Sequence, residues 1–268
     1  MSSRTDWREV WENKSAQGIS DFELDRGHPP DQEGENLSEE ELINFVEPRE
    51  FETVLDAGCG TGVNVARFHS RVKHIIGIDY SEGSLERCKK RIEAQKVENA
   101  QLSAASVTRI PLPDGAVDKV LCLSVLQYLD DQEARNALRE FVRVVAPGGV
   151  IILHVKNLSS IYWSTLWAAK TLKSFLGGRT RIEHFRTFHW YVNELTLLKC
   201  EILDYYSSNL FIVDVMSPSL ISFVRGFELR HHGDALFRSP LLRRHGAELL
   251  LKVRIPGRHL ESPCHNGR

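Results

Sequence analysis

Apolar and polar positions along the chain change period several times, and each change marks an element. Between Thr53 and Val155 five short β-rich runs, TVLDA, HIIGID, QLSAA, VDKVLCL and GVIILHV, alternate with stretches of helical spacing. Helices are predicted from Gly62 onward, from Glu82 to about Gln95, and from Asp131 to about Val145. Strands separated by helical patterns of about ten to fifteen residues imply parallel pairing through crossovers, hence an α/β fold with a doubly wound, mostly parallel sheet. CEILDYY and AELLLKVRI supply two later strands.

The flanks read differently. Residues 1–52 form an N-terminal helical cap: a short helix bearing Trp7 and Trp11 one turn apart, the polar stretch GHPPDQEGEN, and a second helix announced by the capping box Ser38 and Glu41. The core is expected over 53–155, a lid insertion over 156–200, the remaining sheet and a helix over 201–256, and a disordered tail over 257–268. In the insertion, Leu158, Ile161, Tyr162, Leu166, Ala169, Leu172 and Leu176 recur at helical spacing, with Trp163, Trp167, Lys170 and Ser174 on another face and Gly177-Gly178 as the stop. In EHFRTFHWYVNELTLLK, polar His184, Arg186 and His189 alternate with Phe185, Phe188 and Trp190, which reads as a strand or extended lid with two faces.

The stretch VLDAGCGTGVN sets an acid, Asp56, and then Gly58, Gly60 and Gly62 at the end of the first strand. A strand, a glycine turn and a helix hold nucleotide-like ligands in doubly wound sheets, because glycines allow close approach of the backbone. The dinucleotide fingerprint GxGxxG would put its third glycine at Val63, and a β-branched residue there argues against a pyrophosphate. HIIGID ends in Asp79 about twenty residues on, where a carboxylate can accept from both ribose hydroxyls. As a bare loop, GxGxG is equally a structural turn, and Asp79 could instead cap the next helix, although Ser81 is better placed for that.

Taken in order, VLDAGCGTG, IIGIDYS, IPLPDGAVDKVLCLSVLQYL and FVRVVAPGGVIIL resemble the successive motifs of the class I S-adenosylmethionine-dependent methyltransferases, in particular the small-molecule branch that includes the ubiquinone-biosynthesis enzymes. The resemblance covers Thr53 to Val155 and, more loosely, His184 to Leu198. It implies a seven-stranded sheet with a reversed final hairpin, an N-terminal helical lid, an inserted lid after the fifth strand, and S-adenosyl-L-methionine as cofactor across the carboxyl ends of the first strands. Carried onto this chain, it sets Gly58, Cys59 and Gly60 under the methionine and ribose. Asp56 orients the loop and the cofactor's amino group, Asp79 holds the ribose, and Tyr80 lies against the adenine. Ser106 and Val107 frame the adenine, with Ser106 where the family usually has Asp. Leu123 offers a backbone carbonyl to the methionine, and Tyr128 stands where many relatives have His.

A sulfonium is already an excellent leaving group, so methyl transfer needs an aligned nucleophile more than a covalent catalyst. No Ser-His-Asp or Cys-His constellation is visible in the sequence. A base helps only where the acceptor is a phenol, alcohol or protonated amine; by residue type Tyr128, His154, His184 and His189 are candidates, each equally readable as a packed side chain. The acceptor wall is expected from Trp7, Trp11, Tyr128, His184, Arg186 and His189. The expected activity is in-line methyl transfer to a small or amphiphilic acceptor, with O-methylation preferred. Methylation of a protein or RNA, and an inactive cofactor-binding partner subunit, remain as alternatives, and a nicotinamide oxidoreductase would need a hydride-transfer apparatus not found here.

Composition narrows the partners. The chain of 268 residues has 42% apolar and 26% charged residues and a net charge of −2, which gives no reason to expect a nucleic-acid partner. Glu33, Glu35, Glu39, Glu40, Glu41 and Glu47 crowd one end, and Arg230, His231, His232, Arg243, Arg244 and His245 the other. Solvated faces explain this as well as a polar partner does. Five scattered cysteines without CxxC spacing point to a reducing compartment and to neither zinc nor disulfides. MSSRTDWREVWE lacks the apolar stretch of a signal peptide, and no apolar run approaches ~18 residues, so a cytoplasmic protein is expected. The helix from Ile161 to Phe175 reads as a buried lid or as an interfacial helix giving peripheral membrane contact to a lipid-like acceptor, the latter favoured by Lys170, Lys173, Arg179 and Arg181.

Overall fold

Each of the five β-rich runs is a strand. They are β1 (Thr53–Ala57), β2 (His74–Asp79), β3 (Ala100–Ala104), β4 (Val117–Leu123) and β5 (Val145–Lys156), followed by β6 (Glu201–Ser208) and β7 (Glu248–Arg254). The computed structural model describes residues 6–17, 39–160, 163–164, 168, 171–172, 183–208 and 244–257. The expected Ser38 cap, the GHPPDQEGEN stretch, Trp167, Lys170, Lys173, Gly177-Gly178, Arg179, Arg181, the basic residues 230–232 and the tail from 258 onward lie outside them.

The sheet order is β3-β2-β1-β4-β5-β7-β6. β1 to β5 pair in parallel, and β7 runs antiparallel to both β5 and β6. β1 lies between β2 and β4, so the strand order reverses there and opens a crevice at the carboxyl ends, where such sheets bind ligands.

The helices are α1 (Trp7–Ala16), α2 (Glu39–Val46), α3 (Val63–Phe68), α4 (Glu82–Ala94), α5 (Asp131–Val144) and α6 (Phe188–Leu197). Their starts are local chemistry. Ser81 accepts from Ser84 N–H at 3.2 Å and starts α4, the role its sequence position suggested. Asp130 and Glu133 close a reciprocal capping box on α5 at 2.9 Å each way. Ala134, Ala137, Leu138, Phe141 and Val144 form one fully buried stripe on α5. Alternate strand residues divide the core accordingly: Leu55, Val120, Ile151 and Leu153 face α5 and α6, while Val54, Ile75, Leu121 and Ile152 face α2, α3 and α4.

Toward the amino ends of β1 and β4, Lys119 donates to both oxygens of Glu52, at 2.9 and 2.7 Å, and to the Glu47 carbonyl at 2.6 Å, with both charged side chains buried. Burial pulls the Lys119 pKa down against the pull of Glu52. This pair ties α2 to the sheet at the edge opposite the crevice.

Two expectations change. The alternation read across EHFRTFHWYVNELTLLK is extended only over 183–187, where Arg186 makes a single parallel bridge to Asn157. At Thr187 the side chain accepts from Trp190 N–H at 3.2 Å and starts α6, so Phe188, His189 and Trp190 are helical, with Tyr191 and Leu195 as the buried pair. The face assignment in the lid also shifts: Trp163 is 8% exposed and packs on Phe185 at 4.6 Å, whereas Leu172 is 60% exposed. Among the described residues, no helix is long and apolar enough to cross a membrane.

Candidate active site

The loop after β1 turns back under β2. Gly58 and Cys59 both donate their N–H groups to the Ile78 carbonyl, at 2.8 and 2.9 Å. Gly58 and Gly62 sit at φ +83° and +80°, and a Cβ would overlap Val125 at the first and the Cys88 thiol at the second. These two glycines therefore let the loop close simultaneously on the turn after β4 and on α4. Gly60, at φ +53°, donates its N–H to Asp79 Oδ2 at 3.0 Å, and Ser81 donates to Asp79 Oδ1 at 2.9 Å.

Asp79 thus sits between two turns with lone pairs remaining on both oxygens. Burial raises its pKa, opposed by the hydrogen bonds from Ser81, Gly60 and Tyr80. Such a carboxylate gains from further neutral donors, which a vicinal diol supplies. Cys59 is buried, and its thiol pKa is held up first by the hydrogen bond to Cys88, then by burial and by the charge of Asp56. It is an inert wall of the loop.

Above this loop, α1 touches both flanks of the crevice. On the α4 side, Glu12 accepts from the N–H groups of Glu82 at 2.7 Å and Gly83 at 3.3 Å, and Arg87 donates to the carbonyls of Ser15 and Gln17. On the β4 side, Trp7 and Trp11 meet Tyr128 at ring-centroid distances of 4.7 and 5.3 Å. Burial pushes the phenols of Tyr80 and Tyr128 up, so both remain neutral hydroxyls.

The carboxyl ends of β4, β5 and β7 carry a second set of polar groups. His154 Nδ1 lies 2.8 Å from Ser124 Oγ, and Nε2 lies 3.2 Å from Glu248 Oε2. Lys156 sits beside Glu183 at 3.8 Å, with its ammonium over the Trp163 and Phe185 rings at 4.5 and 5.5 Å. The Ser-His-acid arrangement, which the sequence did not reveal, comes from residues 30 and 94 positions apart and is visible only once β7 inserts beside β5.

Comparison with known proteins falls in line with this geometry. Residues 54–149 match the family described as a methyltransferase domain. The malonyl-[acyl-carrier protein] O-methyltransferase of Serratia marcescens is 30% identical over 142 residues, 51% of this chain and 53% of that protein. The chain therefore spans about half the length of this curated relative. Two solved structures share the fold: the Haemonchus contortus phosphoethanolamine N-methyltransferase 1 (TM-score 0.64, 16% identity, 95% of this chain and 49% of that one) and the Bradyrhizobium japonicum N-methyltransferase NodS (TM-score 0.58, 14% identity, 94% and 100%). Residues 54–149 thus carry a methyltransferase domain.

S-adenosyl-L-methionine is the cofactor of methyltransferase domains of this kind, and the groups around the crevice fit it: a glycine loop whose added Cβ atoms would collide, and an acid with acceptor capacity beside it. Asp56 is 1% exposed at the end of β1. Tyr80 follows Asp79 and is half-buried. Leu123 ends β4, directly before the strained turn at Ser124, φ +61°. Ser106 engages its own loop: its Oγ lies 2.8 Å from Thr108 Oγ1 and accepts from Thr108 N–H at 3.2 Å. Val107 is 4% exposed and belongs to the core.

The expected acceptor wall separates into groups that approach the crevice and groups that do not. Trp7, Trp11 and Tyr128 come together. His184 donates its backbone N–H to the Gln127 carbonyl at 2.7 Å, and burial, with Arg186 nearby, lowers its pKa. His189 is exposed on α6. Arg186 is 3% exposed, and its guanidinium binds Asp131 at 3.0 Å and the carbonyls of Leu126, His184 and Leu129 at 2.8, 3.1 and 2.7 Å. It clamps the turn after β4.

Proposed function

We propose that this domain transfers the methyl group of S-adenosylmethionine to a small or amphiphilic acceptor by in-line displacement, with oxygen as the preferred nucleophile. The observation that carries the reading is the hydrogen bond of Gly60 to Asp79 at 3.0 Å, with the helix that carries Trp7 and Trp11 bound both to the start of α4 through Glu12 and to Tyr128 in the turn after β4. The bound cofactor supplies an electrophilic methyl carbon on a sulfur that leaves as a neutral thioether.

The chain's own residues then bind, orient and exclude water. In this reading Asp79 holds the ribose hydroxyls. Gly58, Cys59 and Gly60 pass beneath the ribose and methionine, and the Leu123 carbonyl and Asp56 serve the methionine end. Tyr80 packs on the adenine, with the Ser106 and Val107 backbone at its edge. Trp7, Trp11 and Tyr128 close the crevice from above, removing water from the line of attack. Arg186, through Leu126 and Leu129, fixes the turn that carries Tyr128. His184 lies on the lid side of that turn.

The Serratia relative's name, a malonyl-[acyl-carrier protein] O-methyltransferase, supports oxygen as the methylated atom. A cytoplasmic setting suits the free cysteines Cys59, Cys88, Cys122 and Cys200. The test is transfer of a radiolabelled methyl group from S-adenosylmethionine to a panel of phenols, alcohols, carboxylic acids and amines by the purified full chain. Labelled ether or ester product supports the reading. Cofactor binding with transfer restored only by a partner protein would replace it with the partner-subunit alternative.

A further inference from the structure

The contacts among Ser124, His154 and Glu248 have a direction. Glu248, as a carboxylate, can only accept, so His154 Nε2 at 3.2 Å carries the hydrogen. In the neutral imidazole Nδ1 is then the bare nitrogen, and the Ser124 hydroxyl at 2.8 Å must donate to it. With its hydrogen committed to His154, the half-buried Ser124 Oγ is left with acceptor lone pairs alone. The array is ready to receive a proton from a further O–H group.

Its placement suits that use. Ser124 directly follows Leu123, which ends β4 at the crevice. Its φ of +61° is a left-handed conformation that residues other than glycine rarely adopt. It is held there by its own N–H, which donates to the His154 carbonyl at 2.9 Å. Backbone and side chain of Ser124 are thus both fastened to His154. The His154 and Glu248 side chains retain 18% and 16% exposure at the same carboxyl edge. Lys156, the next residue of β5 on that face and the register partner of Glu248, sits by Glu183 and the Trp163 ring.

Resting on the methyl-transfer reading, we propose that Ser124, His154 and Glu248 form a proton relay for the acceptor, and that the acceptor's nucleophile is therefore a hydroxyl that must lose a proton, rather than a carboxylate that needs no base. As the acceptor oxygen bonds to the methyl carbon, the carbon–sulfur electron pair leaves with sulfur. The hydroxyl proton passes to Ser124 Oγ while the Ser124 proton passes to His154 Nδ1. Nε2–H stays donated to Glu248, and the imidazolium afterwards releases one proton to solvent for each methyl transferred. His154 and Ser124 move the proton; Glu248 is a positioning residue that fixes the tautomer.

The first test needs no turnover. Nitrogen-15 NMR of the cofactor-free protein labelled at histidine should show neutral His154 protonated on Nε2, and Glu248→Gln should shift it toward the other tautomer. A wild-type imidazole protonated on Nδ1 overturns the relay. The second test uses octylphenol as hydroxyl probe and malonyl-coenzyme A as carboxylate probe. Octylphenol should be the better acceptor; His154→Gln should lower its kcat about 100-fold or more with KM little changed, and Glu248→Asp should restore more activity than Glu248→Gln. Preference for malonyl-coenzyme A, or an unchanged kcat in His154→Gln, overturns the relay and leaves methyl transfer standing. Failure to bind the spent thioether in calorimetry would instead remove the methyl-transfer reading itself.

Discussion

Gly60 donates its N–H to Asp79 Oδ2 at 3.0 Å, which makes the loop after β1 and the acid after β2 a single unit. A change on either side is therefore felt by the other.

Asp79→Ala removes a charged acceptor of two expected ribose hydroxyls, each worth about 1.5–3 kcal/mol. Affinity for the cofactor or its demethylated product should fall at least about 100-fold in calorimetry, with circular dichroism unchanged. Unchanged affinity would take Asp79 out of the site.

The same acid sets a pH dependence. In the free protein burial raises its pKa, whereas ribose donors favour the ionised form and so lower it in the complex. Binding thus releases a proton, and the affinity is fully present above the free-state pKa and declines as pH falls through it. Product Kd measured downward from about pH 8 should weaken toward about tenfold per unit at the acidic end in wild type, and stay flat in Asp79→Asn.

Tyr128→Ala deletes both aromatic contacts that hold α1 on the β4 side. At about 0.5–1.5 kcal/mol per ring pair, α1 should lose several-fold of its hydrogen-exchange protection, and product release should quicken. Trp7→Ala should do the same to a smaller extent. Equal protection in all three proteins would detach the roof from Tyr128.

Arg186→Met should cost about 1–3 kcal/mol or more, chiefly because three carbonyls lose their donor, the Asp131 side chain being 59% exposed. A thermal melt reads this directly. An acceptor KM that changed without any loss of melting temperature would return Arg186 to the acceptor wall.

What the sequence made legible was local. Short β-rich runs and the Ser81 cap place β1 to β5 and α4, because each depends on residues within a few positions. Phe188 to Trp190 misled because so short an alternation cannot distinguish an extended segment from the first turn of a helix, and the Thr187 cap decided it. Trp163 read as part of the face apart from the leucines, yet the ring contact with Phe185 and the cover of Lys156 come from segments that only the fold brings near. The same holds for Ser124, His154 and Glu248. Arg186, flanked by aromatics, read as an acceptor contact, whereas two of its carbonyl partners, Leu126 and Leu129, lie 60 and 57 positions away and could not be seen from the sequence.

The most direct measurement is isothermal calorimetry of the folded full chain with S-adenosylhomocysteine and, separately, with a nicotinamide dinucleotide. A saturable heat with the first and none with the second is the result the proposed reading expects, with the β-branched Val63 standing where a pyrophosphate loop needs its third glycine. Heat with the dinucleotide and silence with the thioether would contradict the assignment of this crevice.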